Sequence, residues 1–582
     1  MKNLLTLKKY FIKYKTKLFW GMLFILISNA GTVYLPILLK DSINELQKNT
    51  TSNKLLEYAL LIVGTSIIAG VFRYLIRQTI IVVSRKIEYD LRGDFWKHIQ
   101  KLPLRYFQNN STGNIMSHAT NDINAVRAFI GPAVMYSIDT SIRLIIVVSI
   151  MLSLSFKLTI YALIPLPILS YGVYRVGKLI HEKYTKIQEN FSQLTSRAQE
   201  NFSGIRVIKS YIREANEIKR WNELSQEYLR KNMNLVRIQS IIMPILTLIT
   251  GISIIVVIWV GGGMVISRQM NLGEIAAFIM YLSILIWPVI AFGWVMNIIQ
   301  QGEASMKRLN KIFNEPYEIQ DSTSTDYLTK ELTGKIEFKN VSFKYSDTLP
   351  DVLKEINLQI PIGSTLAIIG HTGSGKTTLI NLIPRLYDVT SGELLIDGKN
   401  VKEIPLDVLR TNIAVVQQES FLFSDSVYGN ISYGLQSIDK KRVEEVSRIA
   451  NFDKDVESFP NGYETVVGER GITFSGGQKQ RASLARALAI DPRILILDDS
   501  FSAVDTHTEE AILKNLRQFM KNRTSIIISH RISTVKEADN IIVLAEGKIA
   551  EQGTHNELVL QGGIYADLHY KQLLEKELEE LN

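Results

Sequence analysis

Gly370-His371-Thr372-Gly373-Ser374-Gly375-Lys376-Thr377 follows the apolar run Leu366–Ile369 and leads, through Thr378, into a helix-prone stretch reaching Leu386. Glycines, lysine and threonine at these offsets, between a strand and a helix, are the pattern of a phosphate-binding loop. Glycine lets successive backbone N–H groups approach phosphate oxygens, and the helix N-terminus adds partial positive charge at the same place. Lys376 is then placed to neutralise the β- and γ-phosphates of a nucleotide, and the Thr377 hydroxyl to bind Mg2+. A merely structural Gly-rich turn would leave the lysine and threonine at these positions unexplained.

The second half of such a site is Ile494-Leu-Ile-Leu-Asp498, an apolar strand ending in a carboxylate suited to hold Mg2+ through water. Around these motifs, from Gly334 onward, the pattern is that of alternating strands and helices. Ile336, Phe338, Val341, Phe343 and Tyr345 approximate strand alternation, and Leu366–Ile369, Ile494–Leu497 and Ser525–Ile528 read as buried strands. An α/β nucleotide-binding domain over residues 334–582 is expected, preceded by a polar linker over 319–333.

The N-terminal half has a different character. A chain of 582 residues is too long for one core, and 46% hydrophobic with 21% charged residues suits a membrane part joined to a polar part. Six apolar stretches long enough to cross a bilayer occur near 18–39, 56–83, 134–156, 158–180, 239–266 and 275–300, which predicts an all-α membrane domain over 1–318. The first of these is too long for a signal peptide and ends without a small-residue cleavage site.

Lys2, Lys8, Lys9, Lys13, Lys15 and Lys17 place the N-terminus in the cytosol, and an even number of spans returns the chain there for the nucleotide domain. The long charged segments 84–133 and 181–238 are then cytosolic and helical. Asp139 and Arg143 sit four apart on one helix face; they read as a structural ion pair, although an ionisable residue in a span is also a functional candidate. Arg73 and Arg77 fall under the same caution, as ionisable residues that are either near the inner interface or functional candidates within a span. The formal charge of +9 is accounted for by basic cytosolic flanks, and no nucleic-acid partner is expected. With no cysteine, disulfides and Cys-based metal sites are excluded.

The chain resembles the ATP-binding cassette (ABC) transporters, specifically half-transporters of the exporter type, over nearly its whole length. The most specific element is Phe474-Ser475-Gly476-Gly477-Gln478 followed by Lys479-Gln480-Arg481, which is similar to the family's signature loop with Phe in place of Leu. The resemblance implies ATP and Mg2+ as ligands. It implies that Tyr345 stacks on adenine, that Gln418 senses Mg2+, that Ser475, Gly476, Gly477 and Gln478 contact nucleotide, and that His530 lies at the γ-phosphate. Glu469 falls in a motif ahead of the signature, and Ser502-Ala-Val-Asp505 resembles a loop that communicates across a dimer. Residues 120–126 and 203–211 resemble the segments coupling nucleotide domain to spans.

One departure stands out. Asp499 occupies the position where active members of this family ordinarily carry the Glu that polarises the attacking water, and it reaches about one methylene less. A weak site of this kind is what the resemblance associates with heterodimeric exporters, so a heterodimer is favoured over a homodimer. In either pair, this chain's signature would complete the partner's site. The implied function is ATP-driven export of a small amphipathic, drug-like or lipid-like substrate across the bacterial inner (cytoplasmic) membrane. Import on the same fold, peptide export and nucleotide-gated behaviour without pumping are the alternatives.

Overall fold

The computed structural model describes residues 2–48, 51–468 and 474–580. The chain divides into two compact units: Met1–Gln100 with Thr112–Glu315, and Lys101–Ser111 with Pro316–Asn582.

The first unit is helical. Among the described residues, five helices are long and apolar enough to cross a membrane by length and composition: Lys15–Leu46, Ser52–Ile99, Thr112–Leu154, Glu214–Ile266 and Leu272–Phe313. At 1.5 Å per residue the 42-residue Leu272–Phe313 helix runs roughly 63 Å, about twice a hydrocarbon core of about 30 Å. The expected span at 158–180 is not a single long apolar helix. It is divided between Phe156–Leu163 and Pro165–Ser203. Ile164 between them keeps helical dihedrals, but Pro165 and Pro167 have no N–H to give, so the hydrogen-bond ladder is interrupted there.

Local chemistry fixes the ends. Ser155 caps the Phe156 helix by accepting from the Leu158 N–H at 3.2 Å, and Asn271 and Glu274 form a reciprocal capping box on the Leu272 helix. The unit's core gathers Val33, Val147, Met151, Leu158, Val257, Phe278 and Tyr281, with the Tyr281 hydroxyl donating to the Val33 carbonyl at 3.0 Å. Leu60, Ile67, Ile145 and Ile255 are more than 60% exposed, an outward apolar surface that suits lipid or a second chain.

The expected coupling stretches fare differently. Residues 203–211 form a turn with the short helix Ile205–Ser210 between two long helices, and Val207 and Tyr211 are exposed at its tip. Residues 120–126 instead lie inside a long helix, where Asp122 is bound by Arg308 of the Leu272 helix and by His118 at 2.6 Å. A turn occurs instead at 101–111, where Pro103 precedes the short helix Leu104–Asn109, and this segment clusters with the second unit. The signal was Pro103 itself, a local helix breaker.

The second unit is α/β. An antiparallel sheet of four strands runs β2 (Leu353–Ile360), β1 (Ile336–Phe343), β4 (Ser391–Ile396), β5 (Lys399–Asn400). A second sheet of six runs β10 (Lys548–Gly553), β9 (Asn540–Ala545), β3 (Thr365–Ile369), β8 (Thr524–Ile528), β7 (Ile494–Asp498), β6 (Ile413–Val416). It is parallel except for the edge strand β10. Strand alternation splits β3 between two cores: Leu366 and Ile368 face one with β1 and β2, while Ala367 and Ile369 face the other with the helices that include Gly476–Ala489. In β1 the alternation slips by one between Phe338 and Val341 because the register shifts there, with Asn340 at φ 51°.

Candidate nucleotide site

β3 delivers the glycine-rich loop to the N-terminus of the helix Lys376–Leu382, which ends four residues earlier than expected, just ahead of Pro384. Gly370 and Gly375 are dictated by space as well as by backbone. At Gly370 (φ 152°) a Cβ would lie 2.2 Å from the Leu544 carbonyl oxygen, and at Gly375 (φ 103°) 2.9 Å from Leu353 Cδ2.

The Lys376 ammonium is folded back onto its own loop, donating to the carbonyls of Gly370 at 2.8 Å and His371 at 2.9 Å. The Thr377 hydroxyl donates to Asp498 Oδ2 at 2.9 Å, which joins the phosphate loop to the end of β7. A cavity of about 300 Å³ opens here, lined by Thr372, Gly373, Gly375, Lys376, Thr377, Thr378, Gln418, Asp498, Asp499 and His530, with Val352 and Ile528 completing it. Val352 and Ile528 were not singled out from sequence; they are ordinary apolar residues at strand ends with no local mark. Gly370, His371 and Ser374 belong to the same loop without lining the cavity. Tyr345 stands one residue further out, its hydroxyl 2.9 Å from the Thr378 hydroxyl and its ring edge-on to Tyr387.

The electrostatics are those of a site that expects charge. Burial lowers the Lys376 ammonium below its ordinary value, against the pull of Asp498 and Asp499. Burial raises the Asp498 carboxyl; the Thr377 hydroxyl opposes that, Asp499 reinforces it, and Lys376 and His530 oppose it. Ser374 Oγ is buried with no hydrogen-bond partner among the described residues. An unsatisfied hydroxyl in the loop, a lysine spending its donors on backbone carbonyls, and a hydroxyl–carboxylate pair together fit a phosphate chain with a divalent cation.

Asp499 is half-buried with φ 45°, its N–H bonded to the Ile528 carbonyl at 3.0 Å. His530 is exposed at the cavity, and its loop is held from behind: Arg531 and Thr534 both bind Glu509, and the Gln572 amide donates to the His530 carbonyl at 2.6 Å.

Ser475, Gly476, Gly477 and Gln478 are not among the residues lining this cavity. They open the helix Gly476–Ala489, where Ser475 and Gln478 form a capping box. Phe474 is accommodated in place of Leu by stacking on Phe459 at 4.9 Å. Gln480, to which the sequence pattern assigns no role, is buried and bridges two motifs: its amide donates to Ser502 Oγ at 3.0 Å and accepts from the Ala503 N–H at 3.0 Å. Asp505 caps the next helix through the Thr508 N–H. Glu469 lies outside the described residues.

The helical unit, the two-sheet α/β unit and this phosphate loop define a membrane protein fused to a nucleotide-binding domain. Residues 18–289 match the family model of the ABC transporter transmembrane region, and residues 353–502 that of the ABC transporter. The chain is 36% identical, over 97% of its length and 96% of that protein, to the probable multidrug resistance ABC transporter ATP-binding/permease protein YheI of Bacillus subtilis (strain 168). It is also 36% identical, over 96% of its length and 93% of the other, to the ATP-dependent lipid A-core flippase of Syntrophus aciditrophicus (strain SB). Among solved structures, a bacterial Atm1-family ABC exporter with ATP bound superposes with a TM-score of 0.78 at 26% identity, covering 96% of this chain and 98% of that one. This chain belongs to the ABC transporter family, with membrane region and ATP-binding domain fused in the exporter arrangement.

Proposed function

We propose that this chain is a half-transporter that couples Mg-ATP hydrolysis to export of an amphipathic substrate across the cytoplasmic membrane, with its nucleotide domain in the cytosol. The observation that carries the proposal is the single cavity at which Lys376, Thr377, Gln418, Asp498, Asp499 and His530 converge. In this reading Lys376 releases its loop carbonyls to take the β- and γ-phosphates, and the backbone N–H groups of the loop surround them. Thr377, Gln418 and Asp498 would hold Mg2+, which would supply charge neutralisation at the phosphates when bound. Asp499 orients the attacking water, and His530 holds the γ-phosphate region. Tyr345 provides the face for adenine. The names of the relatives, which speak of multidrug resistance and of lipid A-core flipping, support an amphipathic cargo.

Two sets of motif residues in one nucleotide unit that do not share a cavity favour a paired arrangement, in which Ser475–Gln478 of each chain close the other's site. Asp499 favours a partner of different sequence. The test is Mg-ATPase turnover of this chain purified alone in lipid, with Lys376→Ala as the blank. Turnover equal to the blank both alone and with every co-expressed half-transporter would remove the pumping reading and leave nucleotide-gated behaviour.

A further inference from the structure

A second cavity, of about 240 Å³, lies within the helical unit among its apolar helices, and its lining includes Arg73, Arg77, Asp139 and Arg143 beside Tyr136 and Trp287. The Asp139 carboxylate is already satisfied. It pairs with Arg143 at 3.0 Å, and Asn29, fully buried, donates to Asp139 at 2.9 Å and accepts from Arg143 Nε at 2.9 Å. That closed triad removes one positive and one negative charge from the balance. Arg73 and Arg77 remain. Arg73 has one long contact, 3.4 Å, to the Thr32 hydroxyl, and Arg77 has no partner among the described residues.

They sit four apart on one face of the Ser52–Ile99 helix, with about 6 Å between their Cβ atoms, and Arg77 opens a π-helical turn, Arg77–Ile81. Such turns gather at functional sites because they re-aim side chains. Two guanidiniums within an apolar stretch are costly against lipid, so they belong at a polar cavity or against an anion. Two planar forks at that spacing match the oxygens of a phosphate or a similar oxyanion, while Ile25, Ile76, Met135 and Trp287 offer an apolar wall beside it.

We propose that this cavity is a head-group site for an anionic amphiphile, with Arg73 and Arg77 taking a phosphate-type oxyanion and the apolar wall taking the start of its tail. The proposal narrows the substrate class of the transport reading and rests on it for transport, but binding is testable without turnover. The full chain is titrated in neutral detergent with dodecyl phosphate and with dodecyltrimethylammonium, and the shift in melting temperature is followed, since a ligand of the folded state alone stabilises it. Half-maximal stabilisation by the phosphate is expected at about one tenth of the concentration the cation needs, and Arg73→Gln/Arg77→Gln is expected to raise that concentration about tenfold. Arg77→Gln alone serves if the double variant does not fold. Repeating the titration in discs of phosphatidylcholine with and without phosphatidic acid separates the source of the head group. Competition by phosphatidic acid in the wild type marks a membrane lipid, and its absence marks a dissolved amphiphile.

Equal stabilisation by anion and cation in the wild type overturns the proposal without any variant, and an unshifted midpoint in the arginine variants does so as well. Lys376→Ala carried in parallel keeps the two readings apart. Retained anion preference without turnover in the wild type would defeat the transport reading alone, and turnover without anion preference would defeat the head-group site alone.

Discussion

At Asp498 burial works against the charge that its chemistry needs. Its carboxyl lies above the ordinary value in the folded chain, chiefly through desolvation. Between the unfolded and folded values the folded chain holds the proton that the unfolded chain has released, so rising pH there favours unfolding, and the whole cost is present once the pH stands above the folded value. Asp498→Asn is therefore expected to raise the melting temperature of the nucleotide-free protein while lowering Mg-dependent ATP turnover by about 100-fold or more, read by differential scanning calorimetry and a phosphate-release assay. The same shift predicts that the Mg2+ concentration for half-maximal nucleotide binding rises as the pH is lowered, because cation and proton compete for one carboxylate. In Asp498→Asn this dependence should be lost. Asp499 makes a third case: its left-handed backbone is one that Asp tolerates, and Asp499→Glu, which restores the missing methylene, should raise turnover by about 10-fold or more if reach is what limits it. An unchanged rate in phosphate release would show that Asp499 already places the water.

Among elements, Gln480 ties the Gly476–Ala489 helix to the Ser502–Asp505 loop through two hydrogen bonds. Gln480→Ala should lower kcat about 10-fold, at a cost of about 1 to 2 kcal/mol for two lost hydrogen bonds, while leaving the affinity for a non-hydrolysable ATP analogue unchanged, since Gln480 does not line the cavity. Steady-state kinetics beside equilibrium binding would separate the two. In the helical unit, Asp122 holds the Thr112–Leu154 helix to the Leu272–Phe313 helix through Arg308. Asp122→Ala is expected to destabilise the protein by about 2 kcal/mol, the charged partner being only partly solvated, and denaturant unfolding would measure it. A ΔΔG near zero would mean that Arg308 finds water as good a partner.

For the molecule as a whole, the question is what completes the cavity that Ser475–Gln478 do not reach. A chain whose nucleotide site works in isolation as a homodimer should turn over ATP well above Lys376→Ala. A chain built for an unlike partner should turn over ATP only when co-expressed with one carrying Glu at the position of Asp499. The outward apolar surface of the helical unit makes the same demand from the membrane side, since residues such as Ile67 and Ile145 need lipid or a second chain against them.

The phosphate loop, the carboxylate at the end of β7 and the alternating strands were legible in sequence because each is a short-range pattern: fixed offsets along a strand–loop–helix, or a period of two. The helical character of the first half was legible for the same reason, since apolar length is additive along the chain. Tertiary structure decided how residues far apart in the chain are brought together. Gln418 and His530 reach the loop through strand order in the six-stranded sheet, with β6 three places and β8 one place from β3 on the far side of unrelated sequence. Asn29 completes the Asp139–Arg143 pair from more than a hundred residues away. The division of the fourth expected span follows from two prolines whose missing N–H groups a hydropathy sum does not register, and the register slip in β1 from a bulge set by its partner strand. Local patterns specify which residues can do chemistry; which of them meet is set by contacts between elements far apart in the chain.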